Sequence, residues 1–253
     1  MNRRWRIALL GLAGICLTPA IWRVATALPR FGEPSEQYGP AVNRLGPALR
    51  HVSNMVSAVN FDFRGIDTLG EEFMLLGAIT GAVVLLRGAR GEDLTAKAAR
   101  LPGRQVIGRA ESTILICRLF SPAIMLFGLY MALHAMVTPG GGFQGGVVIA
   151  SGLLLTYLGE GYRGWRRLIA SPVLAALEGG GALLFALAGL APMAAGGAFM
   201  QNVLPLGTFR DVFSGGLMLV TNAGVGLAVT GGFGMLFLEF LEETRATQSE
   251  DTR

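Results

Sequence analysis

Hydrophobic residues in this chain come in long unbroken runs, not in alternation and not as single helical stripes. Six runs, near residues 6–28, 66–86, 111–134, 143–159, 172–194 and 213–238, hold few charges and are separated by polar or Gly- and Pro-rich stretches. A helix needs roughly 20 apolar residues to cross the hydrocarbon core of a bilayer. A run that is apolar on every side leaves no polar face for water. The pattern predicts an all-α polytopic integral membrane protein with about six transmembrane helices, and an even number of spans puts both termini on one side.

Between the third and fourth runs lies the densest glycine stretch, Thr138-Pro139-Gly140-Gly141-Gly142-Phe143-Gln144-Gly145-Gly146. With so few side chains the backbone can bend sharply and another helix can approach closely. Pro139, Gly140, Gly141, Gly142, Phe143, Gly145 and Gly146 therefore read as a hinge and helix-packing motif. Gly140, Gly142 and Gly145 also match GxGxxG, with Glu160 where a ribose-binding acid would be sought. A dinucleotide fingerprint needs a strand before it and an amphipathic soluble helix after it. Both flanks here are membrane runs, which rejects nucleotide binding.

The polar stretches divide the chain. Residues 3–27 have a basic start, an apolar core and an Ala25-Thr26-Ala27 ending, the build of a cleavable signal peptide; the expectation is a retained anchor. Residues 29–60 are broken repeatedly by Pro and Gly and read as an external loop, with a short amphipathic helix over 48–59. In the second run Asp67, Glu71, Ala78 and Gly81 fall on one helical face. An acidic, small-residue face in a membrane calls for a protein neighbour. Residues 91–110 form a basic cytoplasmic linker, which separates a two-span module, 1–90, from a four-span domain, 111–240. The tail, 241–253, reads as solvated and partly disordered.

Composition agrees with this picture: 52% of the 253 residues are hydrophobic, 15% are charged, and the mean hydropathy is +0.52. A net charge of +4 and a pI near 9.6 raise the question of nucleic acid. Position answers it, because 14 of the 21 Lys and Arg fall on one side of the six-span arrangement. The positive-inside rule then puts both termini in the cytoplasm, with the chain in the cell (inner) membrane and no nucleic acid as partner. Cys16 and Cys117 lie inside apolar runs without the spacing of a disulfide, zinc or iron-sulfur site.

No phosphate-binding loop, HExxH sequence or nucleophile elbow occurs. The chain is expected to be no enzyme, with no catalytic residue, no cofactor and no metal. What remains is a sparse set of ionisable groups in or near the spans: Asp67, Glu71, Glu72, Arg118, His134 and Glu178. Such groups usually face a bundle interior, a water-filled cavity or a partner. Glu71, Asp67, Glu178 and His134 are the ion-path candidates, with Glu71 first because it is withdrawn from bulk water beside a second acid. Plainer readings stand beside these: Asp67 and Glu71 as caps of the helix start, and His134 as an interfacial histidine. Arg118 and Glu178 lie at a similar depth, and an ion pair between them is expected.

Two stretches carry a resemblance. His134 followed by the Thr138 to Gly146 sequence resembles the hallmark of the B-type subunit in the Mrp (Mnh) multisubunit Na+/H+ antiporter family and its relatives in membrane-bound hydrogenases. The likeness covers roughly residues 110–240, an MnhB/MrpB-like domain. Phe63-Arg64-Gly65-Ile66-Asp67-Thr68-Leu69-Gly70-Glu71 is similar to a signature near the carboxyl end of the large A-type subunit of that family, a segment that is a separate small E-type (MbhE-like) protein in membrane-bound hydrogenases. The resemblance implies an accessory membrane subunit of a cation (Na+)/proton antiporter. Its partners would be the other membrane subunits, with the lipid bilayer around it and Na+ and H+ as transported ions. The length of the chain and its fused first module depart from a plain B-type subunit. A membrane-arm subunit of a hydrogenase-like or other redox-driven complex, or a purely structural assembly subunit, remain the alternatives.

Overall fold

The computed structural model describes residues 3–28, 38–89 and 110–250, so the basic linker expected over 91–110 lies almost wholly outside the described residues. Its contacts divide the chain into two units, Met1–Ala41 and Val42–Arg253. In the first unit α1 (Arg3–Ala27) carries Pro19 in its interior, and only Gly11–Ala27 is strongly apolar. The Thr18 hydroxyl donates to the Gly14 carbonyl, which ties the helix together next to the proline.

The second unit holds five helices long and apolar enough to cross a membrane. These are α4 (Gly65–Ala89), α5 (Glu111–Leu133), α6 (Gly142–Leu168), α7 (Ser171–Ala194) and α8 (Leu217–Glu250). The described residues form no strand, and the protein is an all-α multi-pass membrane protein. α8 is the hub, packing on α4, α5, α6 and α7. Its glycines permit this: a methyl on Gly224 would stand 2.9 Å from the Gly181 carbonyl, and one on Gly234 would stand 2.6 Å from Leu174. Small residues at such crossings let membrane helices approach backbone to backbone.

Two contacts set the register between α4 and α8. Ile79 meets Gly232, and eight residues further along α4 the Arg87 guanidinium pairs with Glu239 at 2.5 Å. Residue numbers rise together on both helices, so α4 and α8 run parallel. Ser171, Pro172 and the short connection from α6 fold α7 back against α8 in the opposite direction.

The loop before α4 is ordered by side-chain to backbone bonds. The amphipathic helix expected over 48–59 lies earlier, as α2 (Tyr38–Arg50), and it ends at His51, whose φ is 56°. A single turn, α3 (Met55–Ala58), and a π-helical turn, Val59–Phe63, follow. Asn54 accepts from the N–H groups of Val56 and Ser57 and donates to the carbonyls of Ala135 and Thr138. The backbone N–H groups of Ser53 and Asn54 both donate to the Met136 carbonyl. This long polar loop thus docks on the connection between α5 and α6 instead of running free. At the far end α8 continues to Glu250, although residues from 241 were expected as a partly disordered tail. α6 bends at Gly161, φ 76°, and beyond the bend Trp165 is buried edge-on to Tyr157.

Candidate functional site

Two features could serve function: the Gly-rich junction between α5 and α6, and the seam where α4 lies along α7 and α8. The junction starts where α5 ends, with the His134 N–H bonded to the Tyr130 carbonyl. Gly140 and Gly141 have φ of 152° and 151°, values that residues with a Cβ rarely adopt. The chain then enters α6 at Gly142, so the Gly-rich stretch is part turn and part helix start. Asn222 of α8 clamps this entry. Its side-chain oxygen accepts from the Gly142 N–H at 2.7 Å and its amide donates to the Ala132 carbonyl at 2.9 Å. A methyl on Gly142 would reach to 2.6 Å from the Gly226 nitrogen, and one on Gly145 to 2.6 Å from the Gly128 carbonyl. Backbone, not flexible side chain, is the neighbour in both cases, so the first turn of α6 is wedged between α5 and α8.

In the seam, the inward face of α4 is Thr68, Glu72, Ile79 and Val83, all buried, at helical spacings of four, seven and four. Glu72 is 2% exposed, and among the described residues neither of its carboxyl oxygens has a hydrogen-bond partner. The Thr68 hydroxyl, one turn earlier, donates to the Asn60 carbonyl at 2.7 Å. Glu178 of α7 is 7% exposed, and its Oε1 is likewise without a partner. A methyl on Gly232 would stand 3.3 Å from that Oε1 and 2.5 Å from Cδ1 of Ile79. Glu178, Ile79 and Gly232 therefore meet where the three helices join. Seven residues of helix at 1.5 Å each separate Glu72 from this junction by about 10 Å along α4. The seam is closed at its other end by the Arg87–Glu239 pair, in which Glu239 is 1% exposed.

The other predicted residues fall elsewhere. Glu71 is exposed on α4, and it is the next residue, Glu72, that the fold buries. Asp67 pairs with Arg64 at 2.5 Å in the first turn of α4, with both side chains largely exposed, the arrangement of a solvated cap. The His134 ring lies 4.0 Å from that of Tyr130, and its Nδ1 is 3.2 Å from the Tyr130 carbonyl. The expected pair of Arg118 with Glu178 is not formed. Arg118 bonds to Glu160 of α6 instead. Similar depth was the whole basis for that pair, and depth does not fix direction: α5 packs on α6, whereas α7 packs on α8. Ser121 on α5 meets Thr156 of α6 at 2.6 Å in the same contact.

Sequence reasoning included Glu72 among the ionisable groups but ranked its neighbour first. The available signal was the spacing of Glu72 from Ile79 and Val83, two large apolar side chains, against the Ala78 and Gly81 that share a face with Glu71. The docking residues Asn54, Asn202 and Asn222 carried no signal, since each works by bonding backbone distant in sequence.

Comparison with known proteins gives this geometry a setting. Residues 112–235 match the domain family related to the MnhB subunit of Na+/H+ antiporter. An uncharacterized protein of Methanocaldococcus jannaschii is 30% identical over 212 residues, 78% of this chain and 80% of that protein. A probable K+/H+ antiporter protein of Rhizobium meliloti, which bears the combined A/B subunit designation, is 29% identical over 130 residues, 44% of this chain and 13% of that much longer protein. Among solved structures, a chain of the membrane-bound sulfane sulfur reductase, an archaeal respiratory membrane complex, superposes with a TM-score of 0.69 at 26% identity. The match covers 92% of this chain and 97% of that one. A chain of the Mrp complex from a Dietzia species superposes with a TM-score of 0.65 at 23% identity, over 94% of this chain and 26% of that one, which is a likeness of fold.

Proposed function

The chain belongs, through residues 112–235, to the domain family related to the MnhB subunit of the Na+/H+ antiporter, and from that premise we propose that it is an accessory membrane subunit of a multisubunit cation/proton antiporter-like complex. Other membrane subunits are its partners, and the cell membrane is its site, with both termini cytoplasmic as the Lys and Arg distribution indicates. Residues 1–90 are the module like the end of the large A-type protein, and 111–240 the B-like domain. The complex supplies the large transporting subunits; this chain contributes packing surface and one stretch of ion path.

The observation that carries the ion-path reading is the pair of buried carboxyls in the α4, α7 and α8 seam: Glu72, with neither oxygen partnered among the described residues, and Glu178, whose Oε1 has no partner there. An ionised carboxylate left unpaired in such a place costs several kcal/mol, so each group holds a proton or meets a cation or water. Those are the states a conducting site exchanges. Glu71 and Asp67, on the outer face of α4, are proposed to serve the same path from the side of a neighbouring subunit. His134 is proposed only as a residue at the mouth of the Gly-rich junction.

The test is cation-driven proton exchange in membrane vesicles carrying the whole complex. Glu72→Gln and Glu178→Gln are each expected to assemble in normal amount while exchange falls to the level of vesicles lacking the chain. Normal exchange in both would remove the ion-path role and leave an assembly role only.

One observation favours a second setting. The likeness to a chain of a respiratory reductase complex extends over 97% of that chain, while the likeness to the Mrp complex covers only part of a longer one. In a redox-driven complex the same protein would sit in an ion-pumping membrane arm. Purification in mild detergent separates the two settings: large antiporter subunits alone co-purify in the first, and iron-sulfur subunits co-purify in the second.

A further inference from the structure

We propose that Ile79, seated on Gly232, is a hydrophobic gate between the Glu72 and Glu178 stations; this rests on the reading of those two carboxyls as ion-handling groups. Three observations converge on it. First, Ile79 shares the inward face of α4 with Glu72, and helical side chains lean toward the N-terminus of their helix. Its branched side chain therefore covers the turn that leads back toward Glu72. Second, its Cδ1 reaches α8 at Gly232, beside the Glu178 carboxyl, where an added methyl would stand 2.5 Å from Ile79 and 3.3 Å from Glu178 Oε1. Third, the packing around it is tight and apolar. Ile79 is 2% exposed, Leu75 lies against the core that includes Phe185 and Val229, and the common register of α4 and α8 sets Glu72 level with Gly224 and Val225.

The consequence is an asymmetric arrangement. The Glu178 carboxyl sits at the seat of Ile79, and the Glu72 carboxyl sits about two turns away on the other side of it, with a span of only apolar side chains between. A proton or a hydrated cation cannot cross such a constriction while it is dry, and apolar constrictions open by admitting water. Rotation of the Ile79 side chain off Gly232 would connect the two stations without moving a helix, because a glycine offers a smooth surface on which the branched end can swing. Closure in the resting chain keeps the two carboxyls from forming a continuous leak.

The experiment measures passive proton entry into vesicles carrying the whole complex, driven by a potassium diffusion potential and followed with a pH-sensitive dye. Ile79→Ala removes the atoms that reach Gly232 and is expected to raise the leak several-fold over wild type. Adding Gly232→Ala places a methyl 2.5 Å from where Cδ1 was, partly refilling the vacated space, and the double variant Ile79→Ala/Gly232→Ala is expected to return the leak to the wild-type level. Adding Glu178→Gln to Ile79→Ala is expected to abolish the extra leak. A general loss of packing would not be repaired by a methyl on the facing helix, so the rescue separates gating from misfolding. The gate is wrong if Ile79→Ala leaks no more than wild type in assembled complex, or if Gly232→Ala fails to reverse the leak. Should Glu72→Gln and Glu178→Gln abolish exchange while Ile79→Ala leaves the leak unchanged, the gate alone fails and the ion-path reading stands.

Discussion

At the scale of single residues, the side chains that hold this bundle together act mostly on backbone. Asn222 is the clearest case, since it is 4% exposed and spends both ends of its amide on the neighbouring helices. Apolar packing alone cannot choose a register for helices already surrounded by lipid, whereas a side-chain amide that must satisfy one N–H and one carbonyl admits a single arrangement. Asn222→Ala would leave the Gly142 N–H and the Ala132 carbonyl without partners. Each buried orphan costs about 1–3 kcal/mol, so a loss on the order of 2 kcal/mol or more is expected. The check is thermal unfolding of the purified chain in detergent: Asn222→Ala should lower Tm, and Asn222→Asp should recover only the half of the effect that belongs to the Gly142 N–H. An unchanged Tm in the alanine variant would show that the clamp is redundant with the packing of Gly142 on Gly226.

Among the elements, α6 depends most on what faces its first turn. Gly142, Gly145 and Gly146 meet Gly226, the Gly128 carbonyl and Val229, which are backbone or β-branched neighbours without room to retreat. Gly142→Leu should therefore separate α6 from α8 and lower recovery of folded chain and of intact complex, while Gly70→Leu on the open face of α4, where a side chain would meet nothing within 4 Å, should leave folding untouched. Equal recovery of the two variants would sink the wedge. The existence of each long helix was legible in the sequence, since length and apolarity alone define a span, and the runs near 66–86, 111–134, 143–159, 172–194 and 213–238 correspond to α4 to α8. Direction around each helix was not. α4 is apolar over most of its circumference, so nothing in its letters announced that Glu72 faces inward and Glu71 outward; one residue of helix is a turn of about 100°. The same blindness to azimuth produced the expected Arg118–Glu178 pair. The polar loop before α4 gave the opposite difficulty: the turn α3 is capped by Asn54, and Asn54 and Ser57 bond the Ala135 carbonyl, a partner far along the chain that local pattern cannot reveal.

For the whole molecule, the contrast between the two faces of α4 says that the bundle is built to be one part of something larger. The inward face is buried against α7 and α8. The other face presents Asp67, Gly70, Glu71, Gly77 and Ala78, all exposed, and a side chain added at Gly70, Gly77 or Gly81 would meet nothing beyond its own turn of helix within 4 Å among the described residues of this unit. A carboxylate six residues into the helix stands about 9 Å along it from Gly65, and a charge at that depth is tolerated against protein or water but not against lipid tails. Substitution at an exposed position away from special contacts changes stability by no more than about 0.5 kcal/mol. Glu71→Gln is therefore expected to leave the Tm of the isolated chain in detergent unchanged. In the complex the same substitution should reduce cation-driven proton exchange, and Glu71→Leu should also reduce the amount of large subunit that co-purifies. The two measurements have to disagree for Glu71 to belong to a surface shared with a partner. If Glu71→Gln lowered the Tm of the isolated chain, its role would lie within this bundle. If it changed neither stability, exchange nor co-purification, the open face of α4 would have to be turned to water instead of to another protein of the complex.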